Sequence, residues 1–263
     1  MALLKKFVEN ATTSATIILN YRKPKVTILP QPHPLRQFGQ QLTDLLLPGS
    51  CLLCGADSGR APFCPACAAD LPPLPAARCP QCGEPSTQGE RCGSCLKEPP
   101  HFAGTLALFR YDFPADRIIH ALKYGHQLAV ADWLGELLAA RLGGRQFDLV
   151  VPLPLHPDRL RERGFNQAVE IARALIRASK QKLAVDCLFR IRATPPQAAL
   201  ALKDRVRNVR QAFECRREIS GQHILLIDDV MTSGATLNEA TRILMLHGAR
   251  RVDVAVAARA LKH

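Results

Sequence analysis

Aromatic side chains are scarce in this 263-residue chain, which has one Trp and three Tyr and is 5% aromatic overall. A broad stacking platform for single-stranded nucleic acid needs successive aromatic faces, so that mode of binding is poorly supplied. Long apolar runs are missing too. No stretch approaches the ~20 residues of a bilayer-spanning helix. The first segment sets Lys5 and Lys6 before Glu9, Asn10, Thr12, Thr13 and Ser14, which is too polar for a secretory signal. No Gly-Lys-Ser/Thr closes a glycine-rich turn, which excludes a Walker P-loop. Acidic residues are in deficit, 23 Asp and Glu against 35 Lys and Arg, for a net charge of +12. That surplus suits phosphorylated ligands or nucleic acid and says nothing about fold.

Cysteine, by contrast, is plentiful. Eight of the ten fall in four Cys-x-x-Cys pairs: Cys51/Cys54, Cys64/Cys67, Cys79/Cys82 and Cys92/Cys95. Nine residues separate the first two pairs and nine the last two. This regularity reads as an internal repeat of a zinc-binding unit and argues against a disulfide scaffold. Two such turns aim four thiolates at one point. The resulting tetrahedral site has no open position and is structural, not catalytic. Sequential pairing puts Cys51, Cys54, Cys64 and Cys67 on one ion and Cys79, Cys82, Cys92 and Cys95 on the other. An interleaved pairing stays open. A segment this short has too little core to fold without metal. Cys187 and Cys215 lie outside the repeat and read as ordinary thiols.

Residues 1–40 read as a poorly ordered tail, broken by Lys23-Pro24-Lys25, Pro30-Gln-Pro32 and His33-Pro34. Apolar residues at helical spacing over 35–47 end at Pro48-Gly49. A helix plus cysteine module thus spans 41–98, and the remainder, 99–263, forms a second domain. There, expected strands at 104–111, 147–154, 183–187, 224–227 and 251–257 alternate with expected helices at 118–124, 128–142, 166–180 and 237–247. Alternation of this kind predicts a parallel sheet with helices on both faces.

The most informative stretch is Ile224-Leu-Leu-Ile-Asp-Asp-Val-Met-Thr-Ser-Gly-Ala-Thr236. Four apolar residues form a buried strand, and Asp228 and Asp229 stand at its C-terminal end, where ligands sit in open parallel sheets. Thr232, Ser233, Gly234, Ala235 and Thr236 then lead into a helix, whose first amides and positive dipole end suit a phosphate. Carboxylates repel phosphate but accept hydrogen bonds from the paired hydroxyls of a ribose. A phosphorylated ribose with a divalent cation fits the pattern. The stretch resembles the 5-phosphoribosyl-1-pyrophosphate (PRPP) motif of type I phosphoribosyltransferases. The bland alternative, two acids that only cap a helix, leaves the second acid and the loop unexplained.

Three further segments carry charge that suits a pyrophosphate. A basic loop after the expected strand at 147–154 holds Arg159, Arg161 and Arg163, and guanidinium groups match phosphate oxygens in a bidentate way. Otherwise it is an ordinary solvated loop. A long polar connection from Thr194 to Phe213 reads as a lid carrying Lys203 and Arg205, or as a linker. Lys123 ends a helix, where it serves either the ligand or the helix dipole. His156 reads as a solvated loop histidine or a hydrogen-bonding prop.

The four cysteine pairs together with Leu122-Lys-Tyr-Gly125, Pro152-Leu-Pro-Leu-His-Pro157, Arg161-Glu-Arg-Gly-Phe-Asn-Gln167, Gln197, Arg205-x-x-Asn208 and Phe213 resemble the ComF competence-protein family over about residues 41–260. The resemblance implies an α/β fold: a type I phosphoribosyltransferase-like parallel sheet flanked by helices, preceded by a small Cys-rich double zinc ribbon. It implies two structural zinc ions, and magnesium bound with PRPP. It also implies a cytoplasmic protein of DNA uptake in natural transformation, with single-stranded DNA and other uptake proteins such as a helicase as partners. Asp228 and Asp229 would hold the ribose hydroxyls and act in catalysis, and Thr232 to Thr236 would hold the 5-phosphate. Purine-salvage relatives carry a further acid in this loop as proton acceptor, where this chain has Thr232, so the acceptor is left open. Two readings follow: a phosphoribosyltransferase, or a non-catalytic single-stranded-DNA-binding module with a regulatory or vestigial PRPP site.

Overall fold

A computed structural model of the chain describes residues 49–193 and 209–261. The expected tail, the expected helix at 35–47, and Lys203 and Arg205 lie outside the described residues. The cysteine module opens with β1 (Gly49–Ser50), antiparallel to β2 (Asp57–Gly59), and holds two short helices, α1 (Pro65–Ala69) and α2 (Gly93–Lys97). Its two halves repeat. Gly55 N–H donates to Cys51 O at 2.8 Å and Gly83 N–H to Cys79 O at 2.9 Å. Cys64 caps α1 and Cys92 caps α2.

The second domain runs β3 (Gly104–Arg110), α3 (Ala115–Tyr124), α4 (Leu128–Leu142), β4 (Leu149–Pro152), α5 (Pro157–Arg163), α6 (Gln167–Ser179), β5 (Leu188–Arg190), β6 (Phe213–Cys215), β7 (His223–Met231), α7 (Ala235–Leu246) and β8 (Arg251–Arg259). The main sheet is parallel throughout, in the order β3-β8-β7-β4. Covered on both faces, β7 carries an unbroken apolar run, Ile224 to Ile227, and not an alternating one. Ile224 and Leu226 pack with Leu237, Ala240 and Leu244 of α7. Leu225 and Ile227 pack on the other face with Ile119, Leu122, Leu138, Ile171 and Leu175 from α3, α4 and α6. Each buried Ile or Leu among these stabilises the fold by about 1.5–3 kcal/mol on leaving water.

The zinc module straddles the β3 edge of this sheet. Cys51, Phe63, Cys64 and Leu71 join the α3/α4/α6 core, whereas Cys79, Cys82 and Cys95 join the α7 core. The segment between the two halves runs along β3, with Arg110 N–H donating to Pro72 O at 2.9 Å and Thr105 N–H to Pro80 O at 3.1 Å. An edge that would otherwise be open to another chain is thereby covered.

Three expectations change in detail. The strand expected at 183–187 is a single bridge from Leu183 to β4; the chain turns at an exposed Val185, and β5 begins at Leu188, antiparallel to β6 and outside the main sheet. The basic segment after β4 is the helix α5, not a loop. Its proline-rich approach hid it, although Pro157 stands in the first turn, where proline fits a helix. His156 is its N-cap and accepts from Asp158 N–H at 3.4 Å, as a hydrogen-bonding prop. Finally, β7 does not stop at Ile227. Pairing with β8 continues through Asp228–Val256 and Val230–Ala258 to Met231–Arg259, so the two acids belong to the strand itself.

Candidate functional site

The C-terminal ends of β4 and β7 open into a cavity of about 480 Å³. Strand alternation turns the two acids to opposite faces of the sheet, with Asp229 on the face of Leu225 and Ile227, where α3 ends. There Lys123 Nζ lies 3.0 Å from Asp229 Oδ2, in a pair that is mostly buried. Burial pulls the Lys123 pKa down, but the Asp229 and Asp228 carboxylates outweigh it and leave the ammonium raised. Asp228 is the opposite case. Burial first, and the neighbouring Asp229 second, push its carboxyl up to about 8, although its Oδ1 accepts the Asp229 N–H at 2.8 Å.

The turn after β7 is set by Gly234, which has φ 79° and caps α7. Ala235 N–H donates to Ser233 Oγ at 3.3 Å, and Asn238 N–H is the first to reach back to Gly234 O. The amides before Asn238 have no intrahelical acceptor, and they stand at the positive end of a 12-residue helix. Thr232, Gly234 and Thr236 line the cavity, whereas Ser233 and Ala235 shape the turn from outside the lining.

Of the three arginines on α5, Arg159 and Arg163 line the cavity. Arg159 pairs with Glu162 at 2.9 Å, and the Arg163 guanidinium stands 5.3 Å from the Tyr124 ring centroid. Arg161 is 77% exposed, pairs with Asp158 and does not line the cavity. Arg205 lies outside the described residues. The structure adds residues that pattern reading missed. Arg190 of β5 faces the same cavity; burial pulls its pKa down and Arg159 adds to this, while Asp228 opposes. Its one signal was an arginine inside the otherwise apolar run from Leu188 to Ile191. Gln167 also lines the cavity, at 2% exposure, with its amide nitrogen lacking a hydrogen-bond partner.

The cysteines gather in the sequential pairing. Cys51, Cys54, Cys64 and Cys67 form one cluster and Cys79, Cys82, Cys92 and Cys95 the other, each with sulfurs within 4.8 Å of one another. The Cys54–Cys64 sulfurs are 3.7 Å apart and the Cys82–Cys92 sulfurs 3.6 Å. A tetrahedral zinc with ~2.3 Å bonds has sulfur–sulfur edges of about 3.8 Å, whereas a disulfide needs about 2.05 Å. Burial opposes ionisation of Cys51, but backbone N–H groups of Cys64, Cys54 and Leu53 outweigh it and lower the thiol to about 6. Cys79 is likewise brought to about 7, against burial, by the backbone N–H groups of Cys82, Cys92 and Gln81. These are two zinc-binding sites of four cysteines each. Cys187, just before β5, and Cys215 of β6 are buried with their sulfurs 3.9 Å apart, and burial with the neighbouring thiol pushes Cys187 up to about 12.

A parallel sheet carrying acids and a phosphate-type turn at one strand end, with a double zinc ribbon wrapped on its edge, defines a phosphoribosyltransferase-fold protein with a zinc module. Family models agree: residues 42–96 match the double zinc ribbon domain and residues 162–262 the phosphoribosyl transferase domain. The DNA utilization protein YhgH of Escherichia coli K12 is 33% identical over 220 residues, covering 80% of this chain and 96% of the relative. Competence protein F of Haemophilus influenzae is 30% identical over 209 residues, covering 75% and 90%. Competence protein ComFC of Bacillus subtilis 168 is 26% identical over 225 residues, covering 75% and 89%. The chain belongs to the ComF/ComFC competence-protein family. No helix among the described residues is long and apolar enough to cross a membrane.

Proposed function

We propose that the cavity at the end of β7 binds PRPP with magnesium and that the protein acts in DNA uptake. The observation that carries the first part is the convergence of Asp228, Asp229 and Lys123 with the Gly234 turn on one cavity. In this reading Asp228 and Asp229 accept hydrogen bonds from the ribose hydroxyls. The amides of the 232–236 turn hold the 5-phosphate. Lys123, Arg159, Arg163 and Arg190 face the pyrophosphate, where guanidinium groups bind in a bidentate way. Arg161, exposed on α5, is an outer candidate, and Arg205 is a further candidate that lies outside the described residues.

The donor chemistry suits magnesium, because the two carboxylates are hard oxygen ligands. A cation beside them would also relieve the repulsion that raises Asp228. When bound, the ion offsets the charge of the pyrophosphate. In transfer, the bond from C1 to the pyrophosphate oxygen breaks and its electron pair leaves with pyrophosphate. The acceptor's lone pair then forms the new bond to C1. The arginines stabilise charge that grows on the leaving group. Thr232 has no carboxylate to take a proton from the acceptor, so an acceptor that needs a base in that place is disfavoured.

Calorimetric titration of PRPP with magnesium tests the reading, on the wild type and on Asp228→Asn combined with Asp229→Asn. Heat in the wild type that vanishes in the double variant is expected. A wild type that gives no heat overturns it.

The DNA reading draws on the names of the relatives and on a second feature of the surface. At the N-terminal end of the sheet, Arg78, Arg141, Arg145 and Arg251 line a cavity of about 310 Å³ that holds one carboxylate, Asp253. Such a groove suits backbone phosphates, with salt-dependent affinity. Single-stranded oligonucleotide binding that weakens steeply between low and moderate salt supports it. A flat salt response removes it.

A further inference from the structure

Arg259, the last residue of β8, is only 2% exposed. Its donors are divided between two parts of the molecule that are far apart in sequence. Toward the zinc module, Nε donates to Cys82 O at 2.9 Å and Nη2 to Glu84 Oε1 at 2.6 Å. Toward the cavity, Nη1 donates to Met231 O at 3.2 Å and to Thr232 O. Cys82 belongs to the second four-cysteine site, and Thr232 opens the turn that lines the cavity. One buried guanidinium therefore joins the backbone of a zinc-site turn to the backbone of the phosphate turn.

Other contacts run the same way. Thr105 Oγ1 donates to Gln81 O at 2.6 Å and lies 3.9 Å from Met231 Sδ. His101 N–H donates to Asn238 Oδ1 at 2.7 Å, at the first turn of α7. Simple adhesion between two domains would be served by side chains or by apolar area. Here Arg259 reaches main-chain carbonyls on both sides, Cys82 O in the zinc turn and Met231 O and Thr232 O at the loop, and the Glu84 carboxylate holds the guanidinium on the zinc side.

We propose that Arg259 is a positioning residue through which the Cys79/Cys82/Cys92/Cys95 site holds the 232–236 turn in its ligand-ready shape, so that metal occupancy there and sugar-phosphate affinity are coupled. The coupling rests on the PRPP reading above; the mechanical tie does not. Coupling is reciprocal, so bound PRPP should also slow zinc loss from this site.

Full-length, zinc-loaded wild type, Glu84→Gln and Arg259→Lys proteins test it. Glu84→Gln removes the carboxylate on the zinc side and leaves every cysteine and every loop contact in place. Arg259→Lys keeps the charge but loses the planar fork. Hydrogen exchange of the 232–236 amides, without ligand, should quicken about tenfold in both variants, with the central amides of β7 and β8 unchanged. PRPP affinity should fall about tenfold or more, since small displacements of a positioning group cost that much. In the wild type, PRPP should slow zinc capture by a chromogenic chelator. Unchanged exchange in Glu84→Gln overturns the tie, even if Arg259→Lys fails to fold. Quickened exchange with unaltered PRPP affinity overturns the coupling. A wild type that binds no PRPP defeats the functional reading alone, because the exchange measurement still decides the role of Arg259.

Discussion

Lys123 at the end of α3 and Asp229 within β7 meet at 3.0 Å, with side-chain exposures of 23% and 9%. The pair ties the helix that precedes the cavity to the strand that carries its acids. Removing one member leaves the other charge largely buried and unpaired. Lys123→Met is therefore expected to lower unfolding stability by about 2–4 kcal/mol. It should also weaken PRPP binding at least tenfold, because in the proposed reading Lys123 is a cation that faces the pyrophosphate. Urea unfolding and calorimetry check the two effects separately.

Asp228 predicts a pH dependence. Its folded pKa of about 8 lies above the ordinary value of 3.8, so the folded state holds the proton more tightly. This group's contribution to stability is fully present at pH below the unfolded value and declines as pH rises toward about 8, at no more than about 1.4 kcal/mol per pH unit. Above that, the profile flattens. Asp228→Asn should remove that part of the slope, read from unfolding at a series of pH values. Binding of magnesium and PRPP should release a proton below pH 8, seen as a buffer-dependent heat that is absent in the variant.

Gly234 adopts φ 79°, and a Cβ there would stand 2.7 Å from Met231 Cε. The methionine end can shift, but a left-handed backbone still costs an L-residue about 1–2 kcal/mol. Gly234→Ala is expected to lose about that much stability and to weaken PRPP binding more than a remote substitution of equal cost. Thermal unfolding paired with titration separates the two.

Gly135 lies where α4 meets α6. An added Cβ would fall 2.4 Å from Ala174 Cβ, 2.6 Å from Ile171 O and 2.8 Å from Leu175 N. Two of these are main-chain atoms, so the helices must move apart. Although alanine is the better helix former by about 1 kcal/mol, Gly135→Ala should destabilise the protein by about 1–3 kcal/mol. A variant more stable than wild type would contradict the packing.

Metal analysis should find two zinc per chain, and Cys92→Ser should leave one. Because each cluster is built into a different face of the sheet core, stripping zinc with a strong chelator should lower the unfolding temperature of the whole chain and not of a detached module.

Local pattern was enough for much of this. The Cys-x-x-Cys spacing announced two four-thiolate sites. The apolar run before Asp228 and Asp229 announced a buried strand leading to a phosphate-type turn, because strand period, helix start and turn chemistry act over a few residues. It did not reveal α5 behind its prolines, the shift of β5 to Leu188, or Arg190 in the cavity.

What the sequence alone determined is the set of parts: four cysteine turns for two zinc sites, a parallel sheet, and a turn with paired acids. The tertiary structure alone decided how they meet. It chose sequential over interleaved zinc pairing and set the ribbon astride β3. It also joined Glu84 to Arg259, Lys123 to Asp229, and the Gly135 backbone to α6. Each of these depends on segments distant in sequence but adjacent in space, so neighbouring residues carry no trace of them.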